Sequence, residues 1–170
     1  MKFRDITMDD LPLYEGALTD PSMMSELGGP LPRSGLKEKL QGIVDDVVVG
    51  RVWFFTIIPD QEDGTAAGTV CVWDHKWNGE VINEIGWMVL PRFQGRGLAG
   101  DAVRAVLRKA RPEGRWDVIH AFPATTNAPS NAICRKTGFT KVEEVDFEYA
   151  GRMLRCNHWK IDVRLAREAG

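Results

Sequence analysis

Pro91-Arg92-Phe93-Gln94-Gly95-Arg96-Gly97-Leu98-Ala99-Gly100 joins the most strand-like run of the chain, VINEIGWMVL (81–90), to an amphipathic stretch that reads as a helix over 97–110. Gly95 and Gly97 remove side chains where successive backbone N–H groups would converge on an anion. The following helix contributes the positive end of its dipole and its orphan first-turn amides. Arg92 and Arg96 add local positive charge. Together these parts describe a pyrophosphate cradle.

Other glycine loops fit less well. A Walker A loop needs Gly-Lys followed by Ser or Thr, which is absent. Gly95-x-Gly97-x-x-Gly100 matches a dinucleotide fingerprint by letter, but that motif puts its first glycine directly after the strand, and Pro91 to Gln94 intervene here. It also expects an acidic residue at the far end of the next strand, whereas Asp117 stands at the start of its strand. A tight turn whose glycines serve packing alone is the remaining plain reading.

Working outward, residues 2–6 read as a strand, and Thr7 with Asp10 as a capping box opening a helix over 8–19. Asp20 to Pro32 reads as a loop with an apolar centre, and a second helix runs from Ser34 to Asp45. Strands follow over 51–59, 66–73 and 81–90, the last two separated by Asn78-Gly79, a strong hairpin dipeptide. After the glycine turn and its helix come a strand over 116–122, a helix over 129–137 ended by Gly138, and strands over 140–148 and 153–163 joined at Ala150-Gly151. The order is that of an α/β (α+β) domain, a mixed sheet of about seven strands with about four helices packed on it. With no internal repeat or linker, residues 1–170 are expected to form one domain.

Composition agrees with this and excludes other classes. The chain has 170 residues with 44% hydrophobic and 27% charged side chains, an ordinary globular balance. A net charge of −2 argues against a nucleic-acid binder. Glycine, 17 residues, is the one mild excess. Cys71, Cys134 and Cys156 are odd in number and widely spaced, which suits neither a disulfide framework nor a metal knuckle. His75, His120 and His158 share no metal-ligand spacing, so no metal is expected. The first ten residues, MKFRDITMDD, contain no apolar run suited to a signal peptide, and no stretch is long and apolar enough for a membrane span. A cytoplasmic protein that engages neither membrane nor nucleic acid is expected.

The loop resembles the signature of the GNAT superfamily of acyl-CoA-dependent N-acetyltransferases, Arg/Gln-x-x-Gly-x-Gly/Ala after the fourth strand, in Arg92-Phe93-Gln94-Gly95-Arg96-Gly97. Asn127-Ala-Pro-Ser130-Asn131, continuing through Cys134 to Gly138-Phe139, is similar to the family's helix beside the pantetheine arm. The Ser-Asn pair and Glu84-Ile85-Gly86-Trp87 look most like the subgroup acetylating ribosomal-protein N-termini. The resemblance covers essentially the whole chain and implies a sheet splayed between its fourth and fifth strands, with acetyl-CoA in the opening.

It further implies that backbone groups near Met88, Val89 and Leu90 hold the pantetheine and thioester. Amides of Gln94, Gly95, Arg96, Gly97, Leu98 and Ala99, with Arg92 nearby, hold the pyrophosphate, and Asn131 and Asn127 bond the cofactor from their helix. Glu84, on the strand face of Ile82, Gly86 and Met88, matches the family's catalytic glutamate. The bland alternative is a satisfied polar residue within the sheet. Many relatives carry a tyrosine acid seven residues after the first asparagine, where this chain has Cys134, so Cys134 and Ser130 compete as proton donor to the leaving thiolate. Met24, Leu27 and Gly28 resemble the loop lining the acceptor side. His120 shares a face with Val118 and Phe122 beside the cleft and is either a substrate contact or a core histidine. The acceptor is a primary amine, on a protein N-terminus or a small molecule. A silent acyl-CoA-binding or sensing domain is the competing function. The family also makes a homodimer an option, which no pattern in the chain demonstrates.

Overall fold

In a computed structural model describing residues 1–60 and 63–164, the strands are β1 (Lys2–Asp5), β2 (Trp53–Ile58), β3 (Gly68–Trp77), β4 (Glu80–Val89), β5 (Val118–Ala121), β6 (Thr140–Tyr149) and β7 (Arg152–Asp162). The helices are α1 (Leu11–Thr19), α2 (Leu36–Val48), α3 (Leu98–Glu113) and α4 (Ala128–Lys136). The strands form one sheet in the order β1-β2-β3-β4-β5-β7-β6, antiparallel everywhere except between β4 and β5.

Two tight turns set much of this register. Asn78 and Gly79 have φ of 49° and 84°, and Ala150 and Gly151 have 49° and 76°. Both central residues are therefore left-handed, as a two-residue hairpin whose twist matches its strands requires. The first turn pairs Trp77 with Glu80 and carries β3 four residues beyond the expected Trp73. Asp74 and Lys76 break the apolar run there but point outward, so the hairpin continues.

The sheet buries both faces. On one, α3 and α4 cover a core that includes Val70, Ile85, Val103, Val106, Ile119, Cys134 and Trp159. On the other, Ile6, Tyr14, Leu18, Met24, Leu36 and Leu40 gather beneath α1 and α2. A smaller cluster of Ile82, Phe122, Phe147 and Cys156 fills that second face beyond the helices.

Thr7 and Asp10 form the expected start, with a short 3-10 turn over Met8–Asp10 before α1. The Asp10 carboxylate is 3% exposed. It accepts from Arg4 Nη1 and Nη2 at 2.6 and 2.7 Å, Thr7 N–H at 2.9 Å and Thr56 Oγ1 at 3.0 Å. It thereby ties β1 and β2 to the first helix. Burial pushes its carboxyl upward, but the Arg4, Thr7 and Thr56 hydrogen bonds outweigh this and hold it below the usual range. Asp10→Asn should lower stability by about 1–3 kcal/mol at pH 7, discounted because Arg4 is partly exposed. A carboxyl lowered on folding stabilises above its unfolded pKa and loses that contribution as pH falls through its folded value. The denaturant midpoints of wild type and variant should therefore converge toward acid.

Candidate active site

β4 and β5 pair at one position among the described residues, Glu84 with His120. Beyond it the two strands part, and β4 leads into the glycine turn. Gly95 and Gly97 have φ of 74° and 79°, and Gly97 is the residue preceding α3. Only glycine adopts this conformation readily. The amides of the first α3 turn have no intrahelical acceptor and face outward from a positive dipole end. Arg92 and Arg96 lie 4.7 and 5.3 Å from the ring of buried Phe93, so two cations flank the turn. Gly100 is an ordinary helical residue without a positive φ.

The backbone of β4 divides its carbonyls and amides between its two neighbours. Leu90 N–H bonds Ala67 O at the head of β3, 2.8 Å away. Because peptide groups alternate along an antiparallel strand, Met88 also turns toward β3. The groups left on the open edge are therefore those of Trp87 and Val89, and the Val89 carbonyl accepts from Gln94 Nε2 at 2.9 Å. The expectation that Met88 and Leu90 present their backbone to the opening is thus corrected by register, and Trp87 joins Val89. Gly68, opposite Val89, permits this close approach, since a Cβ there would lie 2.1 Å from the Met88 carbonyl oxygen. Its signal in the sequence was a glycine inside a strand pattern, which marks a bulge or a close backbone approach.

Glu84 is 8% exposed. Its Oε2 has no hydrogen-bond partner among the described residues, although His75 Nδ1 stands 3.3 Å away out of alignment. Burial pushes the carboxyl up to about 8. Its charge also acts on Cys71, Tyr149 and Cys156, which are themselves pushed up by burial. Trp73, paired with Glu84 across β3–β4, lays its ring where a Gly86 side chain would be, 3.1 Å from that Cβ position. Gly86 therefore makes room for Trp73. An aromatic wall continues from here: His75 stacks on Phe147, Phe147 on Phe122, and Phe122 on His158.

His120 belongs to this wall. Its Nδ1 lies 2.8 Å from His158 Nε2. Burial, then the nearby His158 and Lys160, pushes His120 down to about 4, and burial also lowers His158. Both are neutral imidazoles near pH 7. His120 additionally lines a cleft of about 450 Å³ with Asn83, Arg115 and Asp117, at the end of the seam remote from the glycine turn.

On α4 the residues divide differently from expectation. Asn127 caps the helix, its side chain accepting from Ser130 N–H at 3.0 Å. Asn131 is 4% exposed and donates to Ala124 O and Asn127 O while accepting from Asn157 Nδ2 and Trp159 Nε1. Its amide is fully engaged in fastening α4 to β7, which leaves no donor or acceptor for a cofactor. Cys134, three residues on and on the same stripe, is wholly enclosed in the α3–α4 core, with its thiol pushed up to about 12 by burial. It cannot be the proton donor at the cleft. Ser130 is half-buried, and its hydroxyl has no protein partner among the described residues.

The loop between α1 and α2 is held on three sides. Gln94 Nε2 contacts Met23 Sδ at 3.5 Å, Thr126 bonds Glu26, and Arg152 donates to the carbonyls of Gly28 and Gly29. Met24, expected on the acceptor side, is 0% exposed and anchors the loop beneath α1 and α2 instead. Leu27 is half-buried and Gly28, with φ of 83°, is exposed.

A family model described as an acetyltransferase (GNAT) domain matches residues 1–140. An uncharacterized N-acetyltransferase, YnaD, of Bacillus subtilis is 33% identical over 67 residues, 39% of each chain. The match thus spans about two fifths of that relative's length. Among solved structures, a ribosomal-protein-S5-alanine acetyltransferase from Vibrio fischeri superposes with a TM-score of 0.77 at 16% identity, covering 97% of this chain and 94% of its own. A spermidine N-acetyltransferase from Vibrio cholerae, in complex with CoA and spermine, gives 0.76 at 16% identity, with 95% and 94% covered. At such identities the likeness is one of fold. No helix among the described residues is long and apolar enough to cross a membrane.

Proposed function

The chain belongs to the GNAT acetyltransferase family, and from that premise we propose that it moves an acetyl group from acetyl-CoA to a primary amine, with Glu84 as general base. The observation that carries this reading is the buried, unpartnered Glu84 Oε2 at the point where β4 and β5 part. The chain's residues fit the cofactor. The turn needs glycine at Gly95 and Gly97, space beside Gly95 is open, and arginines flank it. When bound, acetyl-CoA supplies an acetyl group activated as a thioester.

Amides from Gly95 to Ala99 hold the pyrophosphate, the expectation for Gln94 being corrected because its N–H is spent on Pro91 O at 3.1 Å, and the open-edge peptide groups of Trp87 and Val89 pair with the pantetheine arm as a strand edge pairs with an added strand. Glu84, as carboxylate, takes the proton of the acceptor amine. An α-amine has a reference pKa near 8, close to the value of about 8 at Glu84, so the transfer is nearly balanced. Ser130 Oγ donates a hydrogen bond to the leaving sulfur, which departs as a thiolate and takes its proton from water.

The acceptor meets aromatic walls and titratable groups held largely neutral near pH 7: Glu84 and Tyr149 raised, His75 and His120 lowered. This favours the α-amine of a peptide N-terminus over a polycation or a lysine, whose ammonium holds its proton more tightly. The enzyme acts in the cytoplasm, a compartment that keeps its three free thiols reduced.

Release of CoA thiol, measured against peptides with free N-termini, a lysine peptide and spermidine, tests the proposal. Turnover is expected, fastest on the N-terminal peptides. Stabilisation by acetyl-CoA in thermal unfolding without turnover on any amine would make the chain an acyl-CoA sensor, and absence of both would remove the cofactor assignment.

A further inference from the structure

Glu84 poses a difficulty for a base that must act repeatedly. A carboxyl buried to this degree can accept a proton, but it must also lose it to solvent before the next turnover. Its Oε2 is shut off from solvent and has no hydrogen-bond partner among the described residues, so a proton held on that oxygen has no direct way to water. Around it stand Cys71, Trp73 and His75 from β3, His120 from β5, Tyr149 from β6 and Cys156 from β7. Cys71 and Cys156 are pushed up to about 12 and about 11 and neither accept nor release protons near neutrality. Tyr149 is raised as well. His120 has one nitrogen committed to His158.

We propose that His75 is the proton exit of Glu84, a positioning residue that returns the buried carboxyl to its basic form after each turnover. The proposal rests on Glu84 being the base. His75 Nδ1 stands 3.3 Å from the Glu84 oxygen that has no other partner, and its side chain is 27% exposed against 11% for Glu84. One end of the imidazole therefore meets the carboxyl while the ring reaches the surface. Its plane is set by stacking on Phe147, with centroids 5.2 Å apart and 24° between the planes. Catalytic hydrogen bonds are often poorly aligned without substrate and tighten when it binds.

The step balances without a co-reactant other than water. The protonated Glu84 carboxyl gives its proton to the lone pair of Nδ1, and the O–H bond breaks as the N–H bond forms. The resulting imidazolium releases the Nε2 proton to water, leaving carboxylate and the Nδ1–H imidazole, which returns to its Nε2–H tautomer by proton exchange with water before the next turnover. Burial alone, with no neighbouring charge contributing, lowers the imidazole from its ordinary value, so the imidazolium unloads rather than persists.

Four variants, three single and one double, test this with steady-state kinetics from pH 6 to 9. His75→Phe keeps a ring for Phe147 to stack on but has no nitrogen, and His75→Ala opens space for a small base. Each should lower kcat by about 10- to 50-fold, with a smaller effect on KM. Added imidazole should restore His75→Ala at least about fivefold and leave His75→Phe unchanged. In a Glu84→Gln background His75→Phe should cost less than about twofold more, because residues acting as a unit are not additive. Wild-type-like kcat in His75→Phe while Glu84→Gln is impaired would overturn the exit and leave the base intact. An undiminished effect in the Glu84→Gln background, without imidazole rescue, would overturn it too. Unimpaired Glu84→Gln would overturn the base, and the exit with it.

Discussion

Glu84→Gln is expected to lower kcat/KM for the amine by about 10²- to 10³-fold at pH 8, the range lost when a positioned general base is removed. The wild-type profile should rise with pH through about 8, where the buried carboxyl ionises. The variant should retain only the titration of its amine substrate. A second consequence is independent of turnover. In the unfolded chain Glu84 titrates in the ordinary carboxylate range, whereas in the folded chain it holds its proton to about 8. Between those values the folded state binds one more proton than the unfolded state, so stability declines as pH rises. Glutamine never ionises and escapes that decline. The melting temperatures of wild type and variant should therefore be close near pH 5, with the variant higher at pH 9. A loss of less than about threefold in kcat/KM across pH 6–9 would remove Glu84 from the chemistry. Persistence of the stability crossover in that case would show a carboxyl that is buried but idle.

The elements around this glutamate were mostly legible because turns and alternation are local signals. Asn78-Gly79 and Ala150-Gly151 specify two-residue hairpins, and both are found with left-handed central residues. Glu84 was placed on its face by counting in twos from Ile82 to Met88. The same counting, continued across the Asn78-Gly79 turn, puts His75 opposite Ile82 and one step diagonally from Glu84. Metal-ligand spacing alone gives His75 no role. Cys134 and Asn131 failed for a different reason. Spacing along a helix says which residues share a stripe, but not which way the stripe faces. Here Asn157 and Trp159, contributed by a strand more than twenty residues away in sequence, draw Asn131 inward by two hydrogen bonds. Cys134 turns into the core with it. For Met24 the lining role follows from the family resemblance alone. Its enclosure depends on Ile6, Tyr14 and Leu40, which only the folded chain brings together.

Gly68→Ala should be the most damaging glycine-to-alanine change among the described residues. The new Cβ would meet the Met88 carbonyl oxygen at 2.1 Å and the Val89 Cα at 2.9 Å. Both are backbone atoms, so no side-chain rotation relieves the overlap. At Gly86 the nearest atoms belong to the Trp73 ring, at 3.1 Å, and a ring can swing. Relief at Gly68 requires the end of β4 to move away from β3, toward the opening beside β5. That displacement loosens the Leu90–Ala67 hydrogen bond and shifts Trp87 and Val89, whose peptide groups line the open edge. The Val89 carbonyl also holds Gln94 at the threshold of the glycine turn, so the strand edge and the cradle shift together. Overpacking of this kind costs about 1–3 kcal/mol or more in stability. Acetyl-CoA affinity, measured by calorimetry on the folded variant below its denaturation midpoint, should fall by more than about tenfold, equivalent to about 1.4 kcal/mol. A destabilised Gly68→Ala with unchanged acetyl-CoA affinity would separate the two effects. It would show that the end of β4 serves the sheet and does not hold the cofactor.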